Sequence, residues 1–357
     1  MGLHSNHASC PAPHCRYESL PHILIWCADK FQLVIMDLID NLEDFDGDLT
    51  TILTAPEVLL QGLMLGHFTE LDVMRANADT NERRFTNLYG CQSRTCAAIW
   101  ETLHTTQVVE AVVPPEKRIF KWFLMSLHHL KKYPTELDRE SMFGVSESWG
   151  RKQCWYFVEK IRALKSEKIV WPEDFGDDDW CISVDGTHFK IEEPRHPVWS
   201  QDRRYFSHKL AHAGLDYELG ISLWESKLVW MNGPFPAGEN DISIFVTHGL
   251  KDKLRAAGKR AIGDLGYRGH PNAVSVPNPS DGEDVTKFKS RALKRHEAFN
   301  GMIKTFESMK FTFRHSIKRF ADCFEAICVI CQFKLETEVP LFSILIEDVV
   351  NPREAEE

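Results

Sequence analysis

Three acidic residues in the second half of the chain occupy positions where a sheet and a helix would bring them together. Asp185 lies inside an apolar strand pattern, Asp264 ends a short one, and Glu297 lies on a long predicted helix. Two carboxylates from neighbouring strands and a third from a helix make a site for a hard divalent cation such as Mg²⁺ or Mn²⁺. Two such ions about 4 Å apart can activate an attacking water and stabilise the leaving 3′-oxygen of a phosphodiester. Acids placed in this way could therefore carry out metal-dependent phosphodiester chemistry.

Asp185 also has a simpler interpretation. It is followed by Gly186, and an Asp-Gly pair at the end of a strand is a common turn. An ionised carboxylate inside a strand is unfavourable unless it is paired or binds a metal. Spacing alone does not decide between a turn residue and a metal ligand, because acids are common in proteins.

Strand patterns dominate the region around Asp185. The first strand is predicted over residues 181–191, and others follow at roughly 206–213, 219–224 and 228–231. A short strand then ends at Asp264, directly before a glycine-flanked turn. Asp185 and Asp264 are therefore predicted on two strands of one sheet.

Glu297 lies on an amphipathic helix predicted over residues 289–306. Its apolar residues recur at i, i+3, i+4 and i+7 and form one buried stripe: Phe299, Met302, Ile303 and Phe306. Glu297 shares another stripe with Asn300 and Lys304, at the helix edge, from which it can approach the sheet. A further helix is predicted over 320–334. Strands followed by a strand–helix return predict a mixed α/β sheet flanked by helices.

The region before the sheet is almost entirely helical in pattern. A short helix over 136–142, a turn at Gly144 and a helix over 147–164 make a helix-turn-helix-like arrangement. Arg151 and Lys152 lie near the start of the second of these helices, and we predict that they contact DNA phosphates or base edges. An ordinary helical bundle is the alternative.

The charge is unevenly distributed along the chain. The net charge is −10 at pH 7, yet residues 287–319 contain ten Lys or Arg and two Glu, and residues 117–168 contain twelve basic and six acidic residues. Basic patches on an acidic chain fit a nucleic-acid partner that is contacted through particular faces. A solvated surface of mixed charge is the alternative. Arg295 lies in the basic segment 287–319, and we predict that it contacts DNA.

Composition indicates a protein without a membrane anchor. No run of about 18 apolar residues occurs, and the apolar stretch over residues 20–36 is interrupted by Asp29 and Lys30 and lacks a basic lead-in. We therefore expect neither a membrane-spanning helix nor a signal peptide. The ten cysteines lack a disulfide-framework spacing, which indicates a reducing compartment. Cys328 and Cys331 are interpreted as core residues of a helix rather than as metal ligands.

Several motifs of the second half occur in a recognisable order. They are Val184-Asp-Gly-Thr-His188, Phe206-Ser-His-Lys209, Gly214-Leu-Asp-Tyr-Glu218, Gly233-Pro-Phe-Pro-Ala-Gly238, Asp241-Ile-Ser-Ile-Phe245, Gly263-Asp-Leu-Gly-Tyr-Arg-Gly269, Arg295-His-Glu-Ala-Phe-Asn300 and Phe313-Arg-His315. In order and approximate spacing, residues 180 to 335 resemble the DDE endonuclease domain of PIF/Harbinger-type transposases. The helical region before them resembles, less specifically, the family's N-terminal DNA-binding region.

The resemblance implies a ribonuclease-H-like fold with a catalytic and metal-binding triad: Asp185, Asp264 and Glu297. Asp241 matches an additional family acid, although Asn240 stands where the family often has His. Four positions near the site also match, and they are implied to contact the substrate or to support the acids, with a structural role as the alternative: His188, Lys209, Asn300 and Lys304.

The patterns along the chain, together with the resemblance, predict four parts. They are an N-terminal tail and acidic linker with short helices (1–69), a helical DNA-binding domain (70–172), a DDE endonuclease domain (173–340) and a C-terminal tail (341–357).

The implied activity is that of a transposase, which cleaves DNA with two Mg²⁺ or Mn²⁺ ions and joins the 3′-hydroxyl to target DNA. A domesticated DNA-binding protein without cleavage activity is the alternative, and the three intact acids favour the enzyme. The expected partners are double-stranded DNA at transposon ends and targets, a Myb-like DNA-binding protein and further copies of the chain. The expected location is the nucleus.

Overall fold

The computed structural model of the chain describes residues 52–193 and 202–345. Helices make up its first part, and a six-stranded mixed sheet flanked by further helices makes up its second part. The protein is therefore of the mixed α/β class, as the order of the patterns predicts. Most of the predicted N-terminal tail and linker, and the C-terminal tail from residue 346, lie outside the described residues.

Within the described chain, eight helices precede the sheet. They are α1 (Ala55–Leu65), α2 (Glu70–Arg75), α3 (Ala78–Tyr89), α4 (Ser93–Thr105), α5 (Phe120–Lys132), α6 (Glu136–Phe143), α7 (Glu147–Ala163) and α8 (Lys165–Lys168). A capping box begins α6: Thr135 N donates to Asp138 Oδ2, and Asp138 N donates to Thr135 Oγ1, both at 3.2 Å. Gly144 then takes a left-handed conformation, with φ at 60°, and turns the chain into α7.

The sheet is built around its first strand. The six strands of the described chain are β1 (Trp180–Lys190), β2 (Phe206–Ser207), β3 (His212–Ser222), β4 (Leu228–Pro236), β5 (Arg260–Ile262) and β6 (Val274–Ser275). β1 is antiparallel to β3 on one side and parallel to β5 on the other. β3 also pairs antiparallel with β2 and β4, and β6 is parallel to β5.

Helices then cover the sheet. They are α9 (Asp241–Thr247), α10 (Leu250–Ala256), α11 (Glu283–Lys304), α12 (Glu307–Lys310) and α13 (Ile317–Thr337). Cys323, Cys328 and Cys331 are fully buried on α13, which confirms that they are core residues. No helix in the described ranges is long and apolar enough to cross a bilayer.

The strand β3 differs from its prediction. Two strands were expected at 206–213 and 219–224, whereas the structure has the two-residue β2 and then one long strand that is buried from Ala213 onward. Asp216 and Glu218 interrupt the apolar pattern. The sequence pattern therefore predicted a loop between two strands where this strand has its middle. The exposed fractions of Asp216 and Glu218 are 0% and 1%. The interruption therefore marks buried carboxylates in a strand and not a loop.

One apolar core joins the helical part to the sheet. Phe157 of α7, Tyr217 of β3 and Phe324 of α13 belong to the same buried cluster. The rings of Tyr217 and Phe324 are stacked with their centres 3.8 Å apart. The face of β3 opposite to Asp216 and Glu218 is therefore packed against the helices, because side chains alternate between the two faces of a strand.

Candidate active site

Asp185 lies in the middle of the sheet, on β1. It shares a strand face with Ser183, and both side chains meet α11. Ser183 Oγ lies 3.0 Å from His296 Nδ1, and Asn300 Nδ2 donates to Asp185 Oδ2 at 3.0 Å. The pKa of Asp185 is raised to about 7, chiefly by burial and then by the negative charge of Asp264. Asp185 is therefore a partly buried carboxylate, oriented by a helix and placed beside a second acid.

Asp264 follows β5 and comes level with Asp185. Ile262 pairs with Ser183 in parallel register, and each acid comes two residues later in the chain, Asp185 on β1 and Asp264 just after β5. Asp264 Oδ1 accepts a hydrogen bond from Gly266 N at 2.8 Å, a local turn that fixes the carboxylate at the end of the strand. Asp264 is exposed, so it forms the open rim of the site.

Asp241 adds a third carboxylate from the first turn of α9. The strand β1 continues through Gly186, so Asp185 and Gly186 do not form the turn that was the alternative interpretation of Asp185. The first carbon of a side chain at Gly186 would lie 2.6 Å from Asp241 Oδ1 and 3.1 Å from Asp216 Oδ2. The first carbon of a side chain at Gly266 would lie 3.0 Å from Asp241 Oδ2 and 3.0 Å from Asp264 Oδ1. Asp241 thus spans the space between Asp216 and Asp264, and glycine at position 186 leaves room for its carboxylate.

Asp216 is the most deeply buried member of the cluster. It lies opposite His188 in the antiparallel register of β1 and β3, and neither of its carboxylate oxygens has a hydrogen-bond partner within the described chain. His188 Nε2 lies 3.9 Å from Asp216 Oδ2, while His188 Nδ1 lies 3.2 Å from Ser207 Oγ. Burial, and next the charge of Asp241, hold the pKa of Asp216 well above its ordinary value. One ligand atom each from His188, Asp216 and Asp241 lie within 4.8 Å of one another.

Glu218 forms a buried floor below this cluster. It lies two residues after Asp216 on the same face of β3, and its Oε2 accepts a hydrogen bond from Trp230 Nε1 at 2.9 Å. Burial raises the pKa of Glu218 to about 8. Glu218 Oε1 and the Tyr267 hydroxyl are both buried without a partner in the described part of the chain.

Lys209 and Lys304 supply positive charge next to the acids. Lys209 lowers the pKa of Asp185 and of Asp241 against the effect of burial. The pKa of Lys304, at the end of α11, is lowered by burial and by Lys209. The pKa of His188 is lowered to about 4, first by burial and then by Lys209 and Lys304, so its imidazole is neutral at pH 7 and able to bind a metal through Nε2.

The donor set fits a hard divalent cation. Four aspartates supply the oxygen ligands that Mg²⁺ and Mn²⁺ prefer: Asp185, Asp216, Asp241 and Asp264. A buried carboxylate without a hydrogen bond is unfavourable, and neither oxygen of Asp216 has a hydrogen-bond partner within the described chain, although Lys304 lies near enough to interact with its charge. His188, Asp216 and Asp241, with one ligand atom each within 4.8 Å of one another, are the residues that would hold an ion, and Asp185 and Asp264 border them.

Glu297 is not brought into contact with the other two predicted triad acids. It is exposed on α11, one turn before Asn300. Within the described ranges, no hydrogen bond or ion pair joins it to Asp185 or Asp264. Gly301, four residues later on the same stripe, borders open space. Asn300 and Lys304 of this helix do lie at the acids, as predicted near the site.

Arg295 has a structural position, which corrects the prediction that it contacts DNA. It is 2% exposed. Its guanidinium donates to the carbonyl oxygens of Phe342 at 3.0 Å and Glu225 at 2.6 Å, and to that of Ser222. Because all these partners are backbone oxygens of the fold, this guanidinium ties the end of β3 to α11 and is not presented to a DNA backbone.

Arg151 and Lys152 lie at the surface of α7. Arg151 Nε donates to Glu136 Oε1 at 2.5 Å, and this pairing joins α7 to α6 and neutralises the guanidinium. Lys152 is exposed and lies 5.7 Å from the ring centre of Trp149, which is itself 48% exposed. Of the two residues, Lys152 has the freer charge.

Asp216 was missed as a site residue by the sequence reasoning. The signal was present in Leu215-Asp-Tyr-Glu-Leu219, where acids alternate with apolar residues at the period of a strand. Two acids on one face of an otherwise buried strand are unfavourable unless they serve a site. The polar residues that interrupt the apolar pattern were interpreted as the end of a strand, and the alternation was therefore not recognised.

Comparison with known proteins agrees with this geometry. The family model described as DDE superfamily endonuclease matches residues 184–332, which is less than half of the chain. The match begins one residue before Asp185 and contains the whole aspartate cluster, while the helical region before the sheet lies outside it. Searches of the curated proteins and of the solved structures gave no match. Over residues 184–332, the chain is therefore similar to the DDE superfamily endonucleases.

Proposed function

We propose that this protein is a metal-dependent DNA endonuclease that acts as a transposase. The observation that carries the proposal is the row of Asp216, Asp241 and Asp264 along Gly186 and Gly266, next to Asp185, in which Asp216 is buried without a hydrogen-bond partner in the described chain. A fold keeps such a cluster at a cost in stability unless a cation neutralises it. The segment that contains the cluster is the one similar to DDE endonucleases.

The ion is proposed to be Mg²⁺ or Mn²⁺, with two ions at work. When bound, such ions supply an activated water and a counter-charge for the leaving oxygen of the phosphodiester. The chain's own residues position the reactants. Asn300 holds Asp185 in one orientation through its 3.0 Å hydrogen bond. Lys209 and Lys304 border the acids and are placed to bind the phosphate that is cleaved.

Glu297 is proposed as the third catalytic acid in the DNA-bound state. It shares the edge of α11 with Gly301 and Lys304, because i, i+4 and i+7 positions lie on one helix stripe. Lys304 on that stripe lies close enough to act on the site acids. The open space at Gly301 leaves a path from Glu297 toward the same opening.

Several finer expectations belong to the same proposal. The strand order β4-β3-β1-β5-β6, with an antiparallel first half and a parallel second half, supports a ribonuclease-H-like fold. The pair α6 and α7 around Gly144, with Lys152 exposed, supports a helix-turn-helix-like DNA contact. A Harbinger-type mechanism with joining of the 3′-hydroxyl, a nuclear location, a Myb-like partner and self-association are proposed from the motif order.

A DNA-binding protein that does not cleave is the second candidate. The exposed position of Glu297, outside the contacts of Asp185 in the described chain, favours it, since cleavage by a DDE-type triad needs all three acids. Glu297→Gln separates the two candidates. An enzyme loses most of its cleavage in this variant, whereas a binding protein shows no cleavage to lose.

Nicking of a labelled DNA duplex that carries candidate element ends tests the proposal. The wild type is expected to nick with Mg²⁺ or Mn²⁺ and not with EDTA, and Asp264→Asn is expected to abolish nicking while DNA binding persists. Asp252→Asn is the matched control, because Asp252 is an exposed aspartate on α10 away from the cluster. Nicking that persists in Asp264→Asn contradicts the proposal, and binding without nicking in the wild type supports the second candidate.

A further inference from the structure

A basic and aromatic segment, Arg203-Arg-Tyr-Phe-Ser-His-Lys209, runs along the edge of the aspartate cluster. Its basic residues flank an aromatic pair, a composition typical of surfaces that bind single-stranded nucleic acid. Two of its residues, Ser207 and Lys209, take part in the site described above. The role of the other exposed residues of the segment is open.

The segment is fixed to the site at two points. Ser207 Oγ lies 3.2 Å from His188 Nδ1, and Arg204 O accepts a hydrogen bond from Gly238 N at 2.6 Å, three residues before Asp241. A side chain at Gly238 would begin 2.5 Å from Arg204 O and 2.8 Å from the carbonyl oxygen of Phe206. The backbone of the segment is therefore held tightly against the loop that leads into Asp241, and its side chains have a defined position relative to the acids.

Phe206 points away from the fold. It pairs with Ala213 in the short strand β2, and strand alternation places its neighbour Ser207 inward and Phe206 outward. The side chain is 46% exposed. The His208 ring meets it edge-on with the centres 5.4 Å apart. Tyr205, by contrast, packs against the apolar core. Phe206 therefore offers an aromatic surface beside the site that the fold does not use.

The charges around Phe206 favour a nucleic acid over an apolar partner. Arg203 and His208 are exposed, and Lys209 completes a basic rim next to the acids. Arg204 is held by Asp202, with Nε–Oδ2 at 3.1 Å and Nη2–Oδ2 at 2.8 Å, so its charge is largely neutralised. An aromatic ring with basic neighbours binds a base by stacking and its phosphate by charge.

We propose that Phe206 is a stacking platform for an unpaired base next to the scissile phosphate. The substrate class is then DNA with an unpaired nucleotide at the cleaved position, such as a forked or frayed end, which is bound in preference to a continuous duplex. The inference deepens the proposed endonuclease function and rests on it for the position of the scissile phosphate. Binding of the base itself needs no cleavage, so it is measured separately.

Fluorescence of 2-aminopurine tests this platform. A forked DNA with 2-aminopurine in its unpaired arm, and a fully paired duplex of the same sequence, are titrated with protein in Ca²⁺ to prevent cleavage. The wild type is expected to quench the fork and to bind it about tenfold more tightly than the duplex, the range of one base–aromatic stack. Phe206→Ala is expected to lose both effects, and Phe206→Trp to keep them. Phe342→Ala, at a residue of similar exposure (44%), is expected to behave as wild type.

The outcomes separate the two proposals. Quenching and fork preference that remain unchanged in Phe206→Ala overturn the platform, and the endonuclease proposal then stands or falls by the nicking assay alone. Quenching that Phe206→Ala removes supports the platform even if no variant nicks DNA, and in that case the endonuclease proposal is the one that fails. Melting temperatures of all variants within a few degrees of wild type exclude misfolding as the cause.

Discussion

Two groups of buried acids in this protein contrast sharply. Asp322 and Glu325 on α13 are 1% and 7% exposed, and both are paired with cations. Arg162 Nη1 lies 2.9 Å from Asp322 Oδ1, and Lys165 Nζ lies 2.8 Å from Glu325 Oε2. Asp216 is equally buried, yet neither of its oxygens has a partner within the described chain. One group is neutralised by the fold, and the other is not.

This difference distinguishes a structural acid from a site acid. The acids of α13 join it to α7 and α8, because their partners lie on those helices. The acids of the site lie close together, and their negative charges raise the pKa values of Asp185, Asp216 and Asp241. Lys209 and Lys304 offset part of this repulsion, and a bound cation would offset the rest. Burial alone therefore does not identify the functional acids, whereas the lack of a protein partner does.

The largest predicted effect comes from making the same substitution, aspartate to asparagine, once in each of the two groups of acids. Asp185→Asn is expected to lower the nicking rate by about 100-fold or more, because it removes a metal ligand and its charge. Asp322→Asn is expected to keep the nicking rate per folded molecule within about twofold of wild type, a change worth under about 0.5 kcal/mol in the barrier. Single-turnover nicking, normalised to folded protein by circular dichroism, measures both. Equal loss in the two variants would break the comparison.

Metal should stabilise the folded protein through the unpaired acids and not through the acids of α13. Saturating Mn²⁺ is expected to raise the stability of the wild type by about 2–3 kcal/mol at 100-fold excess over Kd, because the ion binds the folded state. Asp216→Asn is expected to melt higher than wild type without metal, since it relieves repulsion, and to gain little on adding Mn²⁺. Differential scanning fluorimetry with and without EDTA gives both values. A lower metal-free melting temperature for Asp216→Asn would count against the repulsion argument.

Removing a paired acid should act on stability instead. Glu325→Gln is expected to lower the free energy of unfolding by roughly 1–3 kcal/mol, less than a fully buried pair would, since Arg162 and Lys165 are 42% and 39% exposed. Urea denaturation measures this change, and Mn²⁺ should shift this variant as much as wild type. A Glu325→Gln protein as stable as wild type would show that the ion pairs of α13 contribute little.

A buried neutral group gives an effect that is confined to low pH. His128 packs edge-on against Tyr89 and Phe143, and burial lowers its pKa to about 4. The unfolded chain takes up a proton near pH 6.5 and the folded one does not, so stability is present above pH 6.5 and is lost as pH falls through about 4. His128→Phe is expected to remove on the order of 2 kcal/mol of this loss by pH 4.5. Parallel urea titrations of both proteins at pH 7 and pH 4.5 measure it, and identical pH dependence contradicts the expectation.

The sequence predicted most of the fold because its patterns are local. The apolar stripe of α11 and the strand around Asp185 follow from helical and strand periodicity, and both elements are present. The break between two predicted strands at Asp216 was wrong, because burial of a polar side chain depends on residues distant in sequence. Periodicity reports which face of an element is apolar, and it does not report which polar residues are buried by tertiary packing.

The site was predictable only in part for the same reason. Asp185 and Asp264 meet because β1 and β5 are parallel neighbours in step, which the strand order made foreseeable. Asp216 joins them through the register of β1 with β3, which the sequence does not specify. Arg295 illustrates the opposite error. Its charge predicted a surface contact, yet carbonyl oxygens from three separate positions in the chain enclose its guanidinium.

Titration calorimetry with Mn²⁺, in the absence of DNA, tests the central claim most directly. The claim is that the unpaired aspartates around Gly186 form a divalent-cation site. Wild type and Asp322→Asn are predicted to bind Mn²⁺ alike, while Asp185→Asn and Asp216→Asn are predicted to bind it at least about tenfold more weakly. If the wild type bound no Mn²⁺, or if the two cluster variants bound it as tightly as Asp322→Asn, the aspartate cluster would not be a metal centre.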